Sequence, residues 1–164
     1  MTQKTAFTSD QWDLLRLVPA LVSAGMSSAD RSGLFATVKE ASAGIRSMSE
    51  SYRGSDVELL QAFADDRSTP GIPDPRELLG EGDREQQRVK LKESVMTRLQ
   101  QALSLLEQKA TPEETRAYKQ MVHDVAEDVA NASKEGGFLG FGGVQVSEAE
   151  KSFLAELDQA LRLA

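Results

Sequence analysis

His123 is the chain's one histidine, so imidazole chemistry of any kind, from proton transfer to metal ligation, runs through it or not at all. The chain has no cysteine, which removes thiolate nucleophiles, thiolate metal sites and disulfides. On a helix His123 turns roughly 150° away from the apolar stripe of Val122, Val125 and Val129. It shares the outer face with Arg116, Gln120, Glu127 and Lys134. A solvated histidine beside Glu127, one turn on, is the expectation. Helical bundles that hold paired iron or manganese use two inward Glu-x-x-His motifs. Here the residue three before His123 is Gln120 and no second histidine exists, so that centre is excluded, and zinc fares no better.

Carboxylates are the next candidates. Asp124, Glu127 and Asp128 form a candidate cation-binding face for a hard ion such as calcium. They point at different angles around the helix and lack the Asp-x-Asp-x-Asp-Gly loop pattern, so a solvated face is the plainer expectation. Neither a bound metal nor a cofactor is expected. Glu40 lies among Ala36, Ala43 and Ser47, where a neighbouring backbone can come close. As a candidate buried carboxylate it needs an arginine or lysine partner, or a raised pKa.

The stretch from Gly136 to Gly143, GGFLGFGG, is the most unusual in composition. Gly137, Phe138, Leu139, Gly140, Phe141 and Gly142 form a candidate interaction loop. It resembles a phosphate cradle by glycine content alone: the Gly-Lys-Ser/Thr ending is missing, and Gly140-x-Gly142 is followed by Gln145 where a third glycine belongs. In one reading Phe138, Leu139 and Phe141 fold back and plug the end of a helical bundle, with the glycines allowing the turns. In the other they stay exposed and meet a protein partner. No basic cluster flanks the loop, which disfavours membrane binding. Serines are many, but there is no Gly-x-Ser-x-Gly elbow. A nucleic-acid interface lacks its basic patch and aromatic platforms.

These residues need helices to position them. Thr8 with Gln11 forms a capping box before a first helix, about Asp10 to Gly25, apolar nearly all round and so largely buried. Pro19 inside it predicts a bend, or a split into two short helices. A second helix to about Tyr52 carries Leu34, Val38, Ala41, Ile45, Met48 and Tyr52 as a stripe. Gly33, Ala36, Ala43, Gly44 and Ser47 lie behind, which suits a central helix or one half of a dimer contact. Ser55 with Glu58 predicts a cap for a short third helix. Three prolines and three glycines then make a crossover at about 67–82, with a single turn from Asp74-Pro75 to Leu79 ended by Gly80.

Asp83 caps a long fourth helix to about Lys109. Its stripe is Val95, Met96, Leu99, Ala102, Leu103 and Leu106, and its first two turns, with Arg88 and Lys92, are expected to be solvated or to bind an acidic surface. Thr111-Pro112-Glu113-Glu114 opens a fifth helix to about Ser133, with Tyr118, Met121, Val122, Val125, Val129 and Ala132 inward. Ser147 with Glu150 starts a sixth, with Phe153, Leu154, Leu157, Ala160 and Leu161 inward. No stretch alternates as a strand does. The chain reads as all-α, a single-domain helical bundle of about six helices, three or four of them long.

At 164 residues the chain can bury a core without staples. Its net charge of −7 argues against binding phosphate backbones. No apolar run approaches the ~20 residues of a membrane span. The start, MTQKTAFTSDQW, lacks an apolar signal core, so the expected location is the cytoplasm.

From Gly143 to Leu161 the pattern Gly…Val-Ser-Glu-Ala-Glu…Phe-Leu…Leu…Ala-Leu resembles the helix start of bacterial tellurite-resistance TerB-like helical domains. The family's turn carries Asp-Gly where this chain has Gly142-Gly143, with one extra residue before Val146, so no acidic or metal site is carried over. More broadly the chain resembles bacterial helical proteins. The functional expectation is a non-enzymatic cytoplasmic interaction or scaffold protein that binds a protein partner or itself, as a homodimer. The alternative is an acidic metal-binding or small-ligand-binding helical domain using Glu40, Asp124, Glu127 or Asp128.

Overall fold

The computed structural model of the chain describes residues 3–27, 52–135 and 148–162. Glu40, the small-residue face of the second helix and the glycine loop of 136–143 lie outside the described residues. Within those residues the chain is all-helical, with no strand. A 3-10 turn, Lys4–Ala6, leads into α1 (Ser9–Ser27). There follow α2 (Glu58–Asp65), α3 (Pro75–Leu79), α4 (Arg84–Lys109), α5 (Pro112–Glu135) and α6 (Glu148–Leu161).

Three helix starts follow directly from local chemistry. Thr8 Oγ1 accepts from the Gln11 amide at 3.3 Å, and Gln11 Oε1 accepts in return from the Thr8 amide at 3.1 Å. Asp83 and Gln86 do the same for α4 at 3.0 and 2.9 Å. Thr111 and Glu114 do so for α5 at 3.2 and 2.9 Å, with Pro112 in the first helical position. At α2 the expectation fails. The Ser55 hydroxyl accepts from the Val57 amide at 3.1 Å, and Val57 itself occupies the N-cap without a side-chain cap bond. Ser55 is spent on its own turn before it can reach the helix.

α1 is the axis of the described bundle and packs most extensively on α4 and α5, while α6 closes over α1, α4 and α5. Leu15, Val18, Ala20, Val22 and Ala24 are fully buried, as the all-round apolar pattern requires. Pro19 does not split the helix. A proline cannot donate to the carbonyl four residues back, here Leu15, and the Tyr118 hydroxyl of α5 donates to that oxygen at 2.8 Å. At Gly25 the α6 ring of Phe153 approaches so closely that a Cβ would stand 3.0 Å from it. An aromatic run from Phe7 through Trp12 and Phe63 to Tyr118, with ring centroids 5.6, 4.8 and 6.2 Å apart, fills the other end of the core.

The crossover after α2 is strapped to α1. Arg16, buried on α1, donates to the Asp66 carbonyl at 3.0 Å and to the Ser68 carbonyl at 2.8 Å. The Gly71 amide donates to Asp13 Oδ2 at 2.8 Å, and Pro70 is buried. The first turns of α4 are also less free than expected. Leu91 and Ser94 are buried under α3, the Ser94 hydroxyl donates to the Leu78 carbonyl at 3.0 Å, and Lys92 lies 5.6 Å over the Phe153 ring. Arg88 is half-buried and pairs with Glu85.

Candidate functional site

Of the expected chemical residues, His123, Asp124, Glu127 and Asp128 lie within the described residues. His123 corrects its wheel. It is half-buried, at 21 % side-chain exposure, and its nearest carboxylate is not Glu127 but Asp158 of α6, 3.4 Å from Nε2. Glu127 stands at 4.0 Å and Asp124 at 3.7 Å. α6 lies against this side of α5, which the wheel of α5 alone cannot reveal. Asp124 also accepts from the Gln120 side-chain amide at 2.8 Å. Tyr52 lies near this edge. Burial first, then the charges of Asp124 and Asp128, push its phenol above the ordinary value. Among the described residues no three histidine, aspartate or glutamate side chains come together in a way that could hold a metal ion.

The densest polar constellation went unread in the sequence. Asp66, at the end of α2, accepts from Trp12 Nε1 at 2.7 Å, Lys4 Nζ at 2.7 Å and the Ser68 amide at 2.9 Å, with Arg16 3.4 Å away. Burial alone would raise its pKa. The hydrogen bonds from Lys4, from Ser68 by side chain and backbone, and from Trp12 outweigh burial and hold the carboxyl far below the usual carboxylate range. Its partners come from the N-terminal turn, α1 and the crossover, so its work is to join those segments.

A concave surface lies elsewhere, where α4, α5 and α6 meet. One cleft of about 410 Å³ is lined by Glu107, Ala110, Pro112, Thr115, Arg116, Lys119 and Arg162. A second, of about 550 Å³, adds Met96, Gln100, Leu103, Glu156, Gln159 and Ala160. Glu107, Lys119 and Arg162 line both, so the two form one groove. α4 and α5 run antiparallel through the short Ala110–Thr111 connection, and α6 lays its last turn beside them. Arg116 and Lys119, three apart on α5, share a face because of the helical period. Arg162 reaches the same cleft just past α6, in left-handed backbone at φ 44° with its amide on the Asp158 carbonyl at 2.9 Å. The Arg116–Lys119 spacing was visible in the sequence; their meeting with Arg162 depends on how α6 docks.

Within the described residues no helix is long and apolar enough to cross a membrane. Of residues 143–161, 148–161 form α6 and 143–147 lie outside the described residues. No family model, curated protein or solved structure matches the chain.

Proposed function

We propose that this chain is a non-enzymatic cytoplasmic interaction or scaffold protein, and that the groove between α4, α5 and α6 seats its protein partner. The observation that carries the reading is the make-up of the groove. The buried polar residues Arg16, Ser94, Glu114 and Thr115 are each tied into the fold. Arg16 straps the crossover, Ser94 holds α3, Glu114 caps α5, and Thr115 donates to the Thr111 carbonyl at 3.0 Å. An open groove has a floor of Met96, Leu103 and Ala160 and a rim of Gln100, Lys119, Glu156, Gln159 and Arg162. An apolar floor with a polar rim is the make-up of a protein-binding surface. Self-association through the small-residue face of 28–52 belongs to the same reading and rests on the sequence pattern.

Photo-crosslinking tests the reading. A crosslinker replaces exposed Gln100 in the groove or, as control, exposed Arg84, about 24 Å earlier along α4. The expected result is a discrete product from Gln100 alone, whose partner binds the chain saturably once purified. Equal products from both positions, or none, would remove the groove as the seat.

A further inference from the structure

We propose that the end of the groove between α5 and the last turn of α6 grips an acidic segment of the protein partner through Arg116, Lys119 and Arg162; this rests on the interaction reading above and specifies the partner's chemistry.

The charge distribution argues for it. The chain carries a net charge of −7, yet the smaller cleft sets three cations against a single carboxylate, Glu107. Some cations elsewhere are matched at home: Lys4 and Arg16 with Asp66, Arg98 with Glu77, Lys151 with Glu148. Arg116, Lys119 and Arg162 make no ion pair with a described residue from their charged groups. Low-dielectric walls concentrate the field of such cations in the cleft. Arginine adds a planar fork that matches a carboxylate with two hydrogen bonds.

The neighbouring floor narrows the ligand further. Ala110 and Pro112 lie beside the cations, and Met96, Leu103 and Ala160 continue the surface. A segment carrying both carboxylates and apolar side chains satisfies the whole groove, and a bare anion satisfies one end. A nucleic-acid backbone would meet the repulsion of the acidic remainder. In the larger cleft Glu107 and Glu156 balance Lys119 and Arg162, so the anionic end of the segment belongs over Arg116.

The test is fluorescence anisotropy of a labelled Glu/Leu peptide of about a dozen residues, titrated with the full chain, beside a Lys/Leu peptide of the same pattern. The Glu/Leu peptide is expected to bind saturably and to weaken as salt rises, and the Lys/Leu peptide not to bind. Arg116→Ala, Lys119→Ala and Arg162→Ala should each weaken binding by about two- to fivefold, the range for exposed pairs. The double reversal Arg116→Glu/Arg162→Glu should abolish it. Both arginines are exposed, so that variant should keep its circular dichroism and melting. Indifference to sign, no binding of the Glu/Leu peptide, or an unaffected double reversal overturns the proposal. So does displacement by inorganic phosphate at concentrations like the peptide's own, which assigns the cleft to a free anion. If the crosslinked partner binds the wild type and the double reversal alike, the interaction reading stands and the acidic-segment proposal falls.

Discussion

At Leu15 the backbone carbonyl loses its helical donor to Pro19 and regains one from Tyr118. Burial pushes the Tyr118 phenol far above its ordinary value, so the hydroxyl stays a neutral donor. Tyr118→Phe should therefore cost about 1–3 kcal/mol by urea unfolding, the cost of a buried carbonyl left unpaired. In a Pro19→Ala background the residue-19 amide can bond Leu15, and the same substitution should cost much less; equal costs in the two backgrounds would refute the link. Asp66 yields a pH prediction. Its folded pKa is depressed, so its contribution is present at neutral pH and fades as pH falls below about 4, the unfolded value. Asp66→Asn should lose about 1–3 kcal/mol at pH 7. The gap to wild type should shrink in unfolding curves taken at progressively lower pH; a gap constant with pH counts against the ionised network. Neither set of bonds could be read from the sequence alone. Trp12 and Asp66 are 54 positions apart, and Tyr118 and Leu15 are 103.

At the scale of elements, what could be read was what is local. The boxes at Thr8, Asp83 and Thr111 join residues three apart and need no tertiary structure, so their helices start where the sequence says. Ser55 shows the limit: the same spacing to Glu58 exists, but its hydroxyl is taken two residues on, by Val57. Thr111→Ala should cost about 1 kcal/mol, as lost caps do. Ser55→Ala should cost clearly less; matching losses in parallel thermal melts would restore Ser55 as a cap. Stripes were readable to within a residue. α5 buries Tyr118, Met121 and Val122 as its period requires, then Ala126 and Ala130 where Val125 and Val129 were expected, the two valines being half-buried. The groove was not readable, because it exists only where α6 meets α4 and α5.

For the whole molecule, the described residues hold one continuous apolar core, with the groove carved along α4, α5 and α6. Self-association predicts the mass of a dimer by light scattering at high micromolar concentration; a clean monomer there would remove it. Seating of a partner in the groove is open to direct test. Its most direct measurement is the affinity of the purified crosslinked partner for the wild type and for Gln100→Trp/Gln159→Trp, which fills the groove from two exposed positions. A partner seated in the groove should lose at least about tenfold in affinity, ~1.4 kcal/mol, with melting unchanged. An affinity equal to the wild type's would contradict it.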